Sequence, residues 1–389
     1  MTMRKKISSK KYVLPAAVLA LLVTALAWAA VAQVSDSAPT PPELVVKVED
    51  DDADDSLRDV IANAGNGDVI TFAPGVTTIT LSREILFDKR NITIDGGGVV
   101  TITKDAEADF RLLYYQAGTG TLTLKGLIIE NGNIDGLGGG VRILGDALLE
   151  DCVFRNNTAR DGGGAYVSYT ATITRCTFTG NTGGSAAGAV YAEDMILTNC
   201  TFTGNSTDNA GGAASATMAT VTNCTFTGNT AGYGGAVYAH TTAVLNDCVF
   251  TGNTAIHDSG GAVYASGTAD ISNCAFTDNT ARRDGGAVNA IGSVDLNGCT
   301  FTGNEASRGG AVLTWGDADV KNCSFTGNKP TGKNGAVYAD GKRVLTDCTF
   351  GGGSGQDWLL IVAVAAAVLI GLTAAVLILQ KKGKLAKKI

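Results

Sequence analysis

The chain repeats a short cysteine-containing unit nine times. The cysteines recur every 24–26 residues between positions 152 and 348, and each is followed two residues later by phenylalanine. In all but the last copy, an asparagine comes three residues after the phenylalanine. One copy runs from Cys224 through Phe226 and Asn229 to the sequence Gly-Gly-Ala-Val at 234–237. A fixed period of this length indicates stacked structural units, because one such unit cannot bury its apolar face alone.

The repeated unit has the composition of short β-strands and turns. Its apolar residues alternate with polar ones in stretches rich in Thr and Val, and Gly and Asn lie between these stretches. Three strands in about 24 residues fit one rung, that is one turn, of a parallel β-helix in which each rung lies ~4.8 Å above the last. We therefore predict an all-β fold, a single-stranded parallel β-helix (solenoid) of about twelve rungs over residues 68–350.

The segment before the solenoid predicts a short capping helix. Ser56 is a candidate N-cap, and Leu57, Val60 and Ile61 lie on one face of a helix within residues 56–67. Such a helix would close the open end of the solenoid, where unpaired strand edges favour aggregation.

Both ends of the chain have apolar segments with basic residues beside them. Residues 1–32 combine a basic start, a long apolar run and small residues near their end, which predicts a secretory signal peptide, with an uncleaved anchor as the alternative. Residues 358–380 predict a transmembrane helix with a Lys-rich cytoplasmic tail at 381–389, joined to the solenoid by a Gly/Ser tether at 351–357. The solenoid would then be exposed at the cell surface and anchored in the cytoplasmic membrane.

The middle of the chain is acidic. The two ends hold ten of the 30 basic residues and none of the 37 acidic ones, which leaves a net charge of −17 between them. This charge repels phosphate backbones, so we expect no nucleic-acid partner. We interpret residues 33–55 as an acidic, Pro-containing linker. The acidic run from Glu49 to Asp55 is either a solvated spacer or a Ca²⁺ site.

The repeated sequences Phe-x-x-Asn and Gly-Gly-Ala-Val resemble the Phe-x-x-Asn and Gly-Gly-Ala-Ile repeats of chlamydial polymorphic outer-membrane proteins. They are similar too to the wider group of pectate-lyase-like right-handed β-helix surface proteins, and the stretch from Ser56 to Phe72 resembles the entry cap of such proteins. The resemblance covers residues 56–353 and implies a right-handed solenoid with an adhesin-like role. It does not identify a ligand.

The repeated cysteines and asparagines are predicted to be structural. Cysteine shares the inner face with phenylalanine, so we expect a buried column of reduced thiols, and sulfurs in a line cannot form a tetrahedral zinc site. The asparagines, one in each rung, should form a hydrogen-bonded ladder that fixes the register. The two columns are Cys152, Cys176, Cys200, Cys224, Cys248, Cys274, Cys299, Cys323 and Cys348, and Asn157, Asn181, Asn205, Asn229, Asn253, Asn279, Asn304 and Asn328.

Tyrosine follows the Gly-Gly-Ala-Val sequence in several rungs. If the valine faces inward, these tyrosines form an outward column that can stack on sugar rings, whereas the opposite parity would bury them. Arg282 and Arg283 lie in the variable turn after the asparagine and are further candidates for binding, although ordinary polar turns have the same composition. The predicted binding tyrosines are Tyr191, Tyr238, Tyr264 and Tyr338.

Asp270, Asp295 and Asp319 occupy equivalent positions on consecutive rungs. They are either a weak Ca²⁺ site or three solvated charges, and no other metal or cofactor is predicted. The chain has only two histidines, His240 and His257, as imidazole groups for acid–base chemistry. We therefore predict an adhesin-like or structural surface protein that binds a glycan or another cell surface. The alternative is a polysaccharide lyase or hydrolase of the pectate-lyase-like class.

Overall fold

The computed structural model describes residues 44–351 except residues 106, 108 and 333, and this part of the chain is a parallel β-solenoid. Equivalent strands of successive rungs pair in parallel and form one 31-stranded and one 8-stranded sheet. The predicted solenoid is therefore confirmed. The predicted signal peptide at 1–32, most of the tether, the membrane helix and the tail lie outside the described residues. Within the described residues, no helix has the length and apolar character needed to cross a membrane.

One helix and nine strands precede the first cysteine of the repeats. They are β1 (Leu44–Val46), α1 (Leu57–Asn63), β2 (Val69–Phe72), β3 (Thr78–Leu81), β4 (Ile85–Phe87), β5 (Thr93–Lys104), β6 (Leu113–Tyr115), β7 (Thr121–Glu130), β8 (Val141–Ile143) and β9 (Asp146–Glu150).

The first half of the repeats contributes fifteen strands. They are β10 (Val153–Arg155), β11 (Thr158–Asp161), β12 (Ala165–Val167), β13 (Thr170–Thr174), β14 (Thr177–Thr179), β15 (Thr182–Ala186), β16 (Val190–Thr198), β17 (Thr201–Thr203), β18 (Ser206–Thr207), β19 (Ala214–Thr222), β20 (Thr225–Thr227), β21 (Thr230–Ala231), β22 (Val237–Asn246), β23 (Val249–Thr251) and β24 (Thr254–Ala255).

The second half contributes another fifteen. They are β25 (Val263–Ala265), β26 (Thr268–Ser272), β27 (Ala275–Thr277), β28 (Thr280–Ala281), β29 (Val288–Ala290), β30 (Val294–Asn297), β31 (Thr300–Thr302), β32 (Glu305–Ala306), β33 (Val312–Thr314), β34 (Ala318–Lys321), β35 (Ser324–Thr326), β36 (Lys329–Pro330), β37 (Val337–Ala339), β38 (Arg343–Thr346) and β39 (Thr349–Gly351).

Each repeated rung has three long faces and a short fourth one, which we name after a residue that they bury. In one central rung, the Phe face buries Phe226, the turn sheet buries Ala231, the Val face buries Val237 and the Leu face buries Leu245. The inward residues of successive rungs stack in columns, so each rung covers the apolar side of the next. The hydrophobic core therefore runs along the inside of the whole described solenoid.

Thirteen strands stack on the Leu face, from β1 to β38, which gives about one rung more than predicted. The additional strand is β1, which lies in the stretch predicted to be a linker and pairs with β2. The acidic run beside it is also structured, because the Asp51 carboxylate accepts hydrogen bonds from Arg58 and Ser82. Three apolar residues beside many charges are too weak a pattern to predict a strand.

Helix α1 begins where the sequence predicts it. The Ser56 hydroxyl accepts a hydrogen bond from the backbone N–H of Asp59, which is the expected N-cap geometry. Leu57, Val60 and Ile61 are buried and belong to the solenoid core. The helix packs against β1 and β4 at the start of the described solenoid.

The phenylalanines of the Phe face form a continuous stack. From Phe154 to Phe350 the centroids of neighbouring rings are 4.7–5.0 Å apart, and the ring planes differ by only 3–9°. Neighbouring strands in most sheets are rotated by about 20–25°, and flat sheets usually need side-chain ladders to hold them. Stacked phenylalanines and the asparagine ladder provide such support here.

The eight repeated asparagines form a buried ladder that satisfies every atom of the side-chain amides at its centre. In the rung of Asn205, Nδ2 donates to Oδ1 of Asn229 at 3.0 Å and to the carbonyl oxygen of Phe178 at 3.0 Å. The backbone N–H of Asn205 donates to the same Oδ1 at 3.0 Å. The same pattern repeats from Asn157 to Asn328, so any shift of register would leave buried polar groups unpaired.

All nine repeated cysteines are free thiols, and only Cys348 is not fully buried. Some of the sulfur atoms accept hydrogen bonds from the backbone of a neighbouring rung. For example, the Cys200 backbone N–H donates to Cys224 Sγ at 3.3 Å. The neighbouring thiol and burial raise the pKa of Cys224 well above its ordinary value. The column is a packed, weakly polar part of the core.

Candidate functional site

On the Val face, the valine of each Gly-Gly-Ala-Val sequence points into the core and the next residue points outward. Val237 and Val263 are fully buried, whereas Tyr238 and Tyr264 are half-buried at the surface. Of the two parities that the sequence allowed, the structure therefore has the one that makes the tyrosines outward-facing. This column of outward residues is named the Tyr column.

The Tyr column is not uniform. Two pairs of its tyrosines stack, Tyr166 on Tyr191 with ring centroids 5.0 Å apart, and Tyr238 on Tyr264 with centroids 5.3 Å apart. Tyr338 is separated from these pairs by two rungs without tyrosine. In register order the column consists of Leu86, Tyr114, Arg142, Tyr166, Tyr191, Ser215, Tyr238, Tyr264, Asn289, Leu313 and Tyr338.

A cleft of about 180 Å³ opens where Ser215 interrupts the column. Ser215 pairs with Tyr191 on one side and with Tyr238 on the other, so a small side chain lies between two aromatic ones. Beside it, Ala186 and Ala210 occupy the positions where the next rung has Tyr233. The cleft is lined by Ala186, Asn209, Ala210, Ser215, Tyr233, Tyr238, His240 and Tyr264, and we call it the Ser215 cleft.

The aromatic walls of the Ser215 cleft are held in place by their neighbours. Tyr233 meets the Tyr264 ring edge-on at 5.7 Å, and His240 meets the Tyr238 ring edge-on at 4.8 Å. The hydroxyl of Tyr238 is within 3.0 Å of the Ser266 hydroxyl. Burial, and then the neighbouring Tyr238, raises the pKa of Tyr264 to about 12. At neutral pH this phenol is protonated, as an ordinary tyrosine is, and it can donate a hydrogen bond.

The floor of the cleft contains an unpaired hydroxyl. Ser215 is only 1% exposed, and its Oγ has no hydrogen-bond partner among the described residues. A buried polar group without a partner costs about 1–3 kcal/mol. A molecule that enters the cleft and hydrogen-bonds to Ser215 would recover this free energy.

The two arginines predicted as binding residues lie outside the lining of the cleft. Arg282 is exposed, and Arg283 forms an ion pair with Asp258 at 3.0 Å, across one rung. On the next rung, Arg308 forms a similar pair with Asp284 at 2.7 Å. These ion pairs link the turns of neighbouring rungs. The guanidinium of Arg282 has no such partner among the described residues.

The predicted aspartate column is in register but does not form a metal centre. Asp270 pairs with Asp295, and Asp295 pairs with Asp319, whose carboxylate binds Lys321 at 2.6 Å. Loss of hydration, and then the Asp295 carboxylate, raises the pKa of Asp270. Across residues 44–351 as described, no three His, Cys, Asp or Glu side chains converge in a way that could hold a metal ion.

Two of the predicted binding residues, Tyr238 and Tyr264, line the cleft, and their binding role stays a prediction. Sequence reasoning missed Ser215, the residue at which the cleft opens. The available signal was the replacement of an aromatic residue by serine at one position of the repeat. Tyr191 lies next to the gap but does not line the cleft, and Tyr338 lies elsewhere on the Val face.

The fold and the site together define a β-solenoid with an aromatic surface cleft. The family model described as "Right handed beta helix region" matches residues 112–276 and 210–360, so the chain belongs to the right-handed β-helix family. No curated protein sequence matches this chain. A solved structure of the PL6 family alginate lyase AlyGC is similar at 15% identity with a TM-score of 0.39, over 83% of this chain and 41% of that one.

Proposed function

We propose that this protein is an adhesin-like β-helix, displayed at the cell surface and anchored by the predicted C-terminal helix, that binds carbohydrate on its Val face. The observation that carries the proposal is the Ser215 cleft, where tyrosine rings lie beside a hydroxyl that has no hydrogen-bond partner in the described part of the chain. The resemblance of the repeats to surface proteins and the apolar segments at 1–32 and 358–380 support the location.

The chemistry of the cleft suits a sugar. The face of an aromatic ring packs against the C–H groups of a pyranose, while hydroxyl, amide and imidazole groups bind its hydroxyls. The Ser215 cleft has both kinds of group, with rings from Tyr238 and Tyr264 and polar atoms from Ser215, Asn209 and His240. Because the tyrosines are already packed against each other, little side-chain freedom is lost on binding.

A lyase or hydrolase acting on a polysaccharide is the second candidate. The observation in its favour is that His240 lies against Tyr238 within the same cleft, with ring centroids 4.8 Å apart. Imidazole and phenol groups both serve as general acids and bases. An enzyme would release new reducing ends or unsaturated sugars, and a His240→Gln variant would lose this activity.

Binding is tested with the full chain in detergent on an array of glycans and insoluble polysaccharides. We expect retention of at least one carbohydrate without turnover. Tyr238→Ala should weaken it several-fold, because an aromatic contact contributes about 0.5–1.5 kcal/mol beyond its buried area. Tyr169→Ala is the matched control, since Tyr169 is 54% exposed and does not line the cleft.

Three results would contradict the proposal. They are the absence of binding to any carbohydrate, an equal loss of binding in the Tyr238 and Tyr169 variants, and the appearance of cleavage products. The last result would establish the enzyme instead.

A further inference from the structure

We infer that the Ser215 cleft is a subsite for one neutral sugar ring, a chain end or a branch, that enters the gap in the Tyr column instead of lying flat along it. This inference rests on the proposed carbohydrate binding and specifies the ligand and its orientation.

The size of the cleft limits the ligand to one ring. Sites that enclose a drug-sized molecule have volumes of about 300–1,000 Å³, whereas the Ser215 cleft has about 180 Å³. Its lining runs from Ala186, in the rung of Tyr191, to Tyr264, two rungs beyond Ser215. A polysaccharide backbone would have to extend out of this small space at both ends, so a terminal or branching residue fits better.

The floor of the cleft calls for a ligand with hydroxyl groups. Ser215 Oγ can donate one hydrogen bond and accept others, yet none is made within the described part of the chain. A sugar hydroxyl is both donor and acceptor, so it can accept the hydrogen bond of Ser215 Oγ or donate one to it. The exposed side chains of Asn209 and His240 at the rim can bind further hydroxyls of the same ring.

The charges around the cleft favour a neutral sugar over an acidic one. None of the lining residues is Lys or Arg. Arg160 and Arg283 are paired, with Asp161 at 3.4 Å and with Asp258 at 3.0 Å, and Arg282 is not part of the lining. A uronate or another acidic sugar would bring a carboxylate to a lining without Lys or Arg, and the desolvation of that charge would oppose binding.

The second break in the Tyr column does not provide such a site. At this break Asn289 and Leu313 replace tyrosine and are as buried as Ser215, at 1% and 0% exposure. The adjoining turn positions, however, hold Asp284 and Arg308 instead of alanine, and the Arg308 guanidinium lies 5.0 Å from the ring centroid of Trp315 in the same rung. Loss of tyrosine therefore does not open a cleft by itself, and the small residues Ala186 and Ala210 beside Ser215 are needed as well.

The decisive variant is Ser215→Tyr in the full chain. Tyrosine occupies the same position in the rungs on either side, so the substitution continues an existing stack and fills the gap. We expect binding of neutral methyl glycosides, measured by saturation-transfer NMR and calorimetry, to be abolished. Ser215→Ala keeps the space but removes the hydroxyl, and it should weaken binding several-fold. Polygalacturonate and alginate should bind less well than neutral glycans in the unmodified protein.

The outcomes separate this inference from the proposed function. If Ser215→Tyr binds neutral glycans as well as or better than the unmodified protein, the sugar lies on the column, and the subsite is wrong while carbohydrate binding stands. Preference for uronates would overturn the neutral specificity. Absence of all carbohydrate binding would overturn both proposals. If Ser215→Tyr does not fold, Ala210→Met fills the cleft from its opposite wall and must give the same loss.

Discussion

The Phe face and the Val face belong to the same rungs but use their outward positions differently. On the Phe face, the residue after the buried phenylalanine is threonine in seven successive strands, from β14 to β35. On the Val face, the equivalent outward column changes from tyrosine to serine, back to tyrosine and then to asparagine. The inner position of the Phe face is phenylalanine in every repeated rung, whereas Ala165 and Ala214 replace valine on the Val face. The larger difference is nevertheless at the surface, where one column is uniform and the other changes from rung to rung.

This difference teaches where a site can form on a repeated scaffold. Threonine suits a half-exposed strand through its β-branched side chain, so a uniform threonine column is explained by strand stability. A column that changes from rung to rung is not needed for the fold, and its irregularities create shape. The Ser215 cleft is one such irregularity. The interior ladders permit it because they hold the rungs in register without help from the surface.

The largest expected effect is at the asparagine ladder and tests whether the interior alone fixes the rungs. Asn229→Ala removes the acceptor of the Asn205 N–H and side-chain amide, and the donor to the carbonyl oxygen of Phe202. Each buried group left unpaired costs about 1–3 kcal/mol. We therefore expect a loss of several kcal/mol in the free energy of unfolding, measured by denaturant titration followed by circular dichroism.

Thr227→Ala is the control for this substitution, because it changes an exposed residue of the same rung. Surface changes of this kind usually alter stability by less than about 0.5 kcal/mol. Equal effects of the two substitutions would show that the outer threonines matter as much as the ladder, and the contrast between interior and surface would be lost.

A smaller effect concerns the Val face at high pH. Because burial raises the pKa of Tyr264 from its ordinary value near 10 to about 12, the unfolded chain ionises this phenol first. The contribution of the neutral phenol to the free energy of unfolding is fully present below pH 10 and is lost as the pH rises towards 12. Melting temperatures between these pH values should fall less steeply in Tyr264→Phe than in the unmodified protein. If the melting temperatures of both proteins fall equally with pH, the pKa of Tyr264 is not raised by burial.

The smallest effect is on thiol reactivity and leaves the fold intact. Cys348, which is only partly buried, should be alkylated first in the native protein, and the other eight cysteines only on unfolding. Mass spectrometry of the full chain, labelled before and after denaturation, measures the order. Labelling of Cys224 before denaturation would show that its rung opens locally in the native protein. The interior would then not hold the rungs together as the comparison of the two faces requires.

Much of the fold could be predicted because the same pattern of buried and turn residues occurs in many copies of the repeat. The spacing of Cys224, Phe226 and Asn229 identifies the rung, its inner face and its corner, and each copy confirms the others. Strand β1 was missed, since a short apolar run has no repeat to support it. The predicted aspartate column was in register, but sequence alone could not show that Asp319 pairs with Lys321 and that the carboxylates do not converge.

The sequence by itself determined the solenoid, its buried columns and the outward candidates Tyr238 and Tyr264, because period and alternation report what each rung must bury. Only the tertiary structure decided where a cleft opens. Ser215 and Ala210 belong to one rung, Tyr233 and Tyr238 to the next and Tyr264 to the one after, and only stacking brings their side chains around one space. Shape at a surface depends on which residues are neighbours across rungs, and this follows from the register of the folded chain.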